Sequence, residues 1–394
     1  MYPQYVDEII KRFEREGEKA YIVGGSLRDI LIGSLPHDYD IATSALPHRT
    51  ASLFSDKKVI ETGIKHGTVT VVWDGEPVEI TTFRIDGSYT DSRHPDTVSF
   101  TSEIVADLAR RDFTVNAMAY SDRDGLIDPF GGREDIEKKL LRAVREPTLR
   151  FREDALRIMR AFRFSAQLGF EIEENTLEGI RKTSEGLSNI ARERMGSEFI
   201  KLITCPLPER PLRLMISTGV MRYVLGEYVP SERILSGIAH SPHDAVSRLG
   251  FILSEADIER AREILLSLRC SSKQITGAMA VIRGSKECVS LPADARRLIS
   301  VTGIYAPSAA RVSEILGNSP AGAFDMTVRQ ANTPCSLKEL GINGKSLAEM
   351  GVRGKRIGEI LDALLEMVIE DPNKNDSEIL AAAAREMIEK TEMI

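Results

Sequence analysis

The sequence predicts an α+β chain, with its strands in the first 145 or so residues and helices from there to the end. Three observations carry that reading. Short β-branched runs broken by turn signals recur in the first part, as at Tyr21, Ile22 and Val23 and again over Thr68–Trp73. From about residue 171, apolar residues fall at helical spacing, in segments such as IERAREILLSL and LDALLEMVIED separated by Pro and Gly. Between the two lies one amphipathic tract, residues 147–170, whose buried side is Leu156, Met159, Phe162, Phe164 and Leu168.

The N-terminal segment has helical apolar spacing at Val6, Ile9, Ile10 and Phe13, is studded with charge, and ends near Gly17. It lacks the apolar core of a signal peptide. Residues 20–43, AYIVGGSLRDILIGSLPHDYDIAT, carry the first chemistry. A strand breaks at Gly24-Gly25, a helix-like segment holds Arg28 and Asp29, Gly33 stops it, and a second strand holds Asp38 and Asp40. Carboxylates at i and i+2 on a strand share a face. Two like charges so close repel, and a divalent cation removes the conflict, Mg²⁺ above all, because it takes carboxylate oxygens and shares its other positions with phosphates. Gly24-Gly25 permits close approach of backbone N–H groups to a phosphate at a helix start, and Arg28 lies one turn further in. The bland alternative is a tight strand–helix turn beside a solvated acidic loop.

Pro47 suits the first turn of a helix. Thr68–Trp73 and the run after it form a hairpin across Asp74-Gly75. On the return strand Val78, Ile80 and Thr82 take the core face, so Glu79 points away, where it could join Asp38 and Asp40 around one or two metal ions or simply be exposed. Residues 84–100, RIDGSYTDSRHPDTVSF, show no periodicity and read as a lid or positioning loop. Ile104, Val105, Leu108 and Ala109 have helical spacing; Arg110, Arg111 and Asp112 beyond them are, taken alone, a solvated salt-bridged face. GLIDPFGGREDI, residues 125–136, reads as a turn-rich closure of the sheet domain.

In the tract 147–170, Asp154 and Arg157 lie three apart on a helix, and Glu153 and Arg157 four apart. Arg160 is on the next stripe and Arg163 further round. A carboxylate and a guanidinium edge to edge can read the Watson–Crick edge of a base, or can be an ion-pair ladder on a surface helix. Near the C-terminus, GINGKSLAEMGVRGKRIG places Lys345, Arg353, Lys355 and Arg356 among glycines, either a contact for RNA backbone or a solvated basic turn. It is not a P-loop, whose first glycine would fall at Glu339.

Composition sets the bounds. The 394 residues suggest two to four domains. The net charge of -7 argues weakly against nucleic acid, but a local basic groove can sit on an acidic protein. Four scattered cysteines form no C-x-x-C pair and read as reduced thiols in a cytoplasmic protein. The six histidines show no metal-site spacing, and His243-Asp244 reads as a helix N-terminal loop. No run reaches the ~18 apolar residues of a membrane helix.

In this order the segments resemble the class II tRNA nucleotidyltransferases, the bacterial-type CCA-adding enzymes of the poly(A) polymerase superfamily. The matching motifs are GGSLRDILIGSLPHDYDIAT, VEITTFR, RRDFTVNAMAY, DPFGGREDI, REDALRIMRAFRFSAQLGF, ARERMGSEFIKLI and the tail from GINGKS. FRIDGSYTDSRHPD looks like the flexible loop of members able to add the final adenosine. The resemblance implies a polymerase-beta-like mixed-sheet head (1–145), a neck that reads the nucleotide base (146–205), a helical body (206–310) and a helical tRNA-binding tail (311–394). It also implies template-independent addition of CCA to tRNA from CTP and ATP, with pyrophosphate released at a two-metal Mg²⁺ site. By position, Asp38 and Asp40 match the metal carboxylates and Glu79 the third. Gly25 and Arg28 match the triphosphate contacts, and Arg111 the arginine of the RRD motif. Asp154 and Arg157 match the base-reading pair, with Arg160 and Arg163 as further nucleotide contacts. Within the superfamily the rivals are CC-adding, A-adding and poly(A)-making enzymes; outside it, a silent RNA-binding relative. A homodimer is compatible with the sequence.

Overall fold

The computed structural model describes residues 2–87 and 98–392, so most of the expected flexible loop, residues 88–97, lies outside the described residues. The chain divides into two compact units, Met1–Glu227 and Tyr228–Ile394.

In the first unit, α1 (Gln4–Arg15) turns Val6, Ile9, Ile10 and Phe13 inward. Then follow β1 (Ala20–Val23), α2 (Gly24–Ile32), β2 (Asp40–Thr43), α3 (Pro47–Leu53) and β3 (Lys58–Ile60). Next come β4 (Thr68–Trp73), β5 (Glu76–Thr82), β6 (Arg84–Asp86), β7 (Val98–Phe100), α4 (Ile104–Ala109), β8 (Ala119–Ser121), β9 (Gly125–Ile127) and α5 (Gly132–Glu137). Seven strands make one sheet in the order β3-β4-β5-β2-β1-β8-β9. It is mixed: β2 runs parallel to β5 and antiparallel to β1. The β4–β5 hairpin forms as its turn signal dictates, with Asp74 and Gly75 both at positive φ.

Both faces of this sheet are covered. One carries Ile22, Ile41, Val71, Val78 and Ile80 against α1. The other carries Tyr21, Val23, Ala42 and Phe83 against Ile104 and Leu108 of α4. Phe83 shares the face of Glu79, so that face is not simply solvent-facing.

Four expectations need correction. Asp38 is not on a strand: β1 ends at Val23, opposite Asp40, because the chain turns there into α2, and nothing on that side remains for Asp38 to pair with. The base of the expected loop is not irregular, since β6 and β7 pair antiparallel over residues 84–86 and 98–100. The segment from 147 is not one helix: α6 (Pro147–Glu153) ends at Asp154, which is extended at φ -144° and ψ 102°, and α7 (Leu156–Leu168) starts afresh. A minor parallel pair also joins β10 (Leu140–Leu141) to β11 (Glu171–Ile172), so strand structure does not stop at the head.

After β11 come α8 (Glu174–Thr183) and α9 (Arg192–Ile203), which packs against α7. The second unit is helical throughout its described residues. One core gathers Val289, Leu298, Ala309, Ala310 and Ala323, and another Leu347, Val352, Leu364, Val368 and Leu380. Arg296 ties helix Pro292–Thr302 to the end of helix Lys355–Glu370 by donating to the Ile369 carbonyl at 2.5 Å and that of Glu370 at 3.0 Å. The single division after Glu227 thus falls inside the expected body. Residues 1–227 are one compact unit, and residues on both sides of position 310 share the first of these two cores. No helix among the described residues is long and apolar enough to cross a membrane.

Candidate active site

A cavity of about 920 Å³ in the first unit gathers Gly25, Arg28, Asp38, Asp40, Arg111, Asp154, Arg157, Arg160 and Arg163 on one wall system. Eight basic and five acidic side chains line it, so a polyanion finds a locally cationic site on an acidic chain. The floor is the β1–α2 junction. Gly24 sits at φ +70°, and a Cβ there would come 3.0 Å from Arg111 Nη1 and 3.4 Å from Asp40 Oδ2. Only glycine lets backbone run this close to both groups. The residue before α2 is Val23, whose side chain accepts nothing from the first turn, so among the described residues those N–H groups have no capping side chain. Arg28 is buried and clamped, its Nε on Asp29 Oδ1 at 2.9 Å and its Nη1 on Asn116 Oδ1 at 2.8 Å.

Asp40 and Glu79 are partners in the β2–β5 ladder. Burial raises the Asp40 carboxyl; Arg111 pulls it down, while Asp38 and Glu79 raise it further, leaving it at about 6. Glu79 is exposed and outside the cavity wall, and among the described residues no group of three His, Cys, Asp or Glu side chains closes around a metal. Asp38 and Asp40 thus line the cavity, and Glu79 stands beside Asp40 on the neighbouring strand, outside the cavity lining. The pair fits a divalent cation on its chemistry: two hard oxygen donors face the cavity, and no side-chain hydrogen bond from the described residues reaches the Asp40 carboxylate.

Arg110, Arg111 and Asp112 are not a solvated face. Buried Asp107 pairs with Arg110 at 2.9 Å and Arg111 at 3.3 Å. Burial alone would raise Asp112, but Arg160, then Arg157 and a hydrogen bond from Asn116, bring it down to about 2. Arg111 Nε is a buried donor without an acceptor among the described residues.

The base-reading pair is arranged differently from a helical i,i+3 pair. Asp154 accepts from the Leu156 N–H at the start of α7 at 3.0 Å, and its other oxygen lies 3.5 Å from Arg194 Nη2. Arg157 is buried, donating to the carbonyls of Arg150 and Arg110 at 3.1 and 2.9 Å and to Glu153 Oε2 at 2.8 Å. Arg160 holds Asp112 at 2.6 Å and Arg163 holds Glu198 at 2.6 Å. Three participants were not singled out from sequence, Asn116, Arg194 and Glu198, and Phe164 was read only as core. Asn116 lies four residues beyond Asp112, across extended Phe113, and no spacing marks it; Arg194, Glu198 and Lys201 fall at i, i+4 and i+7 on α9. Arg194 Nη1 is also buried without an acceptor among the described residues.

The tail residues lie in the second unit. Lys345, Arg353 and Lys355 are exposed, whereas Arg356 is half-buried and donates to the Met387 carbonyl at 3.2 Å.

Comparison with known proteins agrees with this architecture. Residues 20–142 match the family described as Poly A polymerase head domain, and residues 169–231 match the one described as Probable RNA and SrmB- binding site of polymerase A. The CCA-adding enzyme of Geobacillus kaustophilus is 37% identical over 384 residues, 95% of this chain and 94% of its own length. That of Pediococcus pentosaceus is 34% identical over 395 residues, covering 96% of each. The crystal structure of the Bacillus stearothermophilus CCA-adding enzyme in complex with CTP superposes at a TM-score of 0.84 with 33% identity, over 100% of both chains. A Thermotoga maritima CCA-adding enzyme complexed with tRNA shares the fold at a TM-score of 0.72 and 21% identity, over 98% of this chain and 96% of that one. A mixed-sheet nucleotidyltransferase head on a helical remainder, matched end to end by these relatives, places the chain in the family of CCA-adding enzymes.

Proposed function

We propose that this cavity adds the 3′-terminal CCA to tRNA, taking CTP and ATP in turn and releasing pyrophosphate at each step. One observation carries the reading: the acidic pair, the β1–α2 junction and the Asp154–Arg157 group line a single cavity in one compact unit. The 3′-hydroxyl oxygen of tRNA forms a bond to the α-phosphorus, and the bond to the pyrophosphate oxygen breaks. The Gly24 and Gly25 amides and Arg28 hold the triphosphate, and Arg111 offers it the buried Nε donor. Asp154 and Arg157 face the base edge, and Arg160 and Arg163 are further nucleotide contacts. Asp38 and Asp40 would hold the divalent cation, which we take to be Mg²⁺ in a two-metal arrangement that neutralises the triphosphate and activates the attacking hydroxyl. Glu79 acts from the neighbouring strand, through its charge on Asp40. With no template, selection rests on the cavity wall.

The domain roles follow as proposals: residues 1–145 catalytic, 146–205 selecting the base, 206–310 a helical body and 311–394 carrying tRNA, with Lys345, Arg353 and Lys355 as its backbone contacts. Four free cysteines suit a reducing cytoplasmic setting. A homodimer is tested by sedimentation. The activity is tested by incubating the protein with tRNA lacking its 3′ end plus CTP, ATP or both, reading product length to one nucleotide. Three added residues are expected. Two or one would make this a partial enzyme, a long tail a polymerase, and none an RNA binder.

A further inference from the structure

Phe164 occupies an unusual place for a core aromatic. It is 6% exposed, lines the cavity, and meets Phe113 edge-on, with centroids 5.8 Å apart at 80°. Three guanidinium groups lie over this one ring: Arg163 at 3.9 Å, Arg160 at 5.1 Å and Arg28 at 5.3 Å from its centroid. All three line the same cavity. Each also has its Nε donated to a carboxylate: Arg28 to Asp29 at 2.9 Å, Arg160 to Asp112 at 2.7 Å and Arg163 to Glu198 at 2.6 Å.

Three like charges gathered on one side chain repel one another, and each is a long, rotatable group. The carboxylates fix one edge of each guanidinium. They do not fix where its plane lies. A ring does, because its negative face attracts a cation placed over it within about 6 Å. Filling the space against Phe113 would need only apolar volume, and an aliphatic side chain supplies that. The ring supplies something further, a shared platform for cations arriving from α2 and from two positions of α7.

We propose that Phe164 is a positioning residue that gathers Arg28, Arg160 and Arg163 into one preorganised cationic wall for the triphosphate of the incoming nucleotide. It touches no substrate itself and acts through the three arginines. The inference rests on the nucleotide-binding reading of the cavity. It assigns Phe164 to phosphate binding and not to base choice, because its arginines do not include Arg157.

The test compares the full chain with F164L and F164Y. Binding of inorganic tripolyphosphate and of CTP is measured by calorimetry, alongside KM, kcat and discrimination against UTP and GTP. F164L is expected to bind tripolyphosphate roughly tenfold more weakly. It should raise KM for CTP and ATP by a similar factor, with kcat within about twofold and base discrimination unchanged. F164Y keeps the ring and should restore most of the affinity. F164M is the second aliphatic variant, read in place of F164L should that protein lose its thermal transition. An aliphatic variant that binds tripolyphosphate as the native chain does would overturn the proposal, and so would an F164Y as weak as F164L. If the native chain bound neither tripolyphosphate nor CTP, the nucleotide reading itself would fall first.

Discussion

Burial and two neighbouring acids oppose the charge on Asp40, and Arg111 favours it. Such a carboxyl is poorly solvated and poorly partnered, which suits a group waiting for a cation. Removing a partner behind a metal ligand typically costs 10–100-fold, so removing a ligand costs at least about 100-fold. D38A and D40A should each abolish incorporation of both C and A while leaving tRNA binding intact; near-normal turnover in either would remove the pair from the site. Arg157 is a different case. Its guanidinium donates to two buried backbone carbonyls as well as to Glu153. R157A should therefore do two things at once. It should relax discrimination against UTP and GTP, and it should destabilise the first unit by about 2 kcal/mol, because carbonyls left unpaired in the interior lose more than a hydrogen bond gains. Incorporation assays with all four nucleotides and a thermal melt read the two effects separately. Unchanged discrimination would leave Arg157 a structural arginine.

At the scale of elements, the sheet was legible and the helix break was not. Alternation over Val78, Ile80 and Thr82 and the Asp74-Gly75 turn are local signals, and local signals fixed β4 and β5. The break at Asp154 is marked by neither Pro nor Gly. Asp154 has one local and one tertiary partner there: it accepts from the Leu156 N–H two residues on and faces Arg194 on α9, and the second cannot be read from spacing. Asp38 illustrates the same limit, since where β1 ends decides whether it belongs to a strand. The Asp112–Arg160 pair joins the segment after α4 to α7, and its strength is testable by pH. Asp112 falls from its ordinary 3.8 to about 2 in the folded state. The stabilisation, about 2 kcal/mol, is therefore complete above pH 4 and lost as the pH falls from about 4 towards 2, where the unfolded chain takes up the proton first. D112N should lower the thermal midpoint at pH 7, and its deficit against the native chain should shrink to about half at pH 3. An equal deficit at both would mean that the side chain's shape, and not its charge, holds the two elements together.

At the scale of the whole molecule, the charge of -7 conceals two separate cationic features. One is the cavity wall of the first unit, where the arginines are buried or clamped to carboxylates. The other is the 341–358 tract of the second unit, where Lys345, Arg353 and Lys355 are exposed; among the described residues, Lys355 alone of the three has an acidic neighbour, Glu359 at 3.9 Å and itself exposed. Clamped guanidinium groups suit a small polyanion held in one pose. Exposed, loosely paired charges suit a long polyanion that releases counterions along its backbone. The sequence could name both sets but could not divide the chain between them, because the boundary after Glu227 depends on packing among helices that look alike in pattern. The division of labour predicts a separation of effects. The triple variant K345E/R353E/K355E should bind tRNA at least roughly tenfold more weakly. Its plot of log affinity against log salt should flatten by about 1 for each phosphate that the tract no longer neutralises. Its affinity for CTP, measured on the free protein, should not change, since none of the three side chains belongs to the cavity. Filter binding across a salt series and calorimetry with CTP provide the two readouts. A variant that kept native tRNA affinity and salt slope would move the RNA-binding surface off this tract, and one that failed to bind CTP as well would show that the charges serve the stability of the chain.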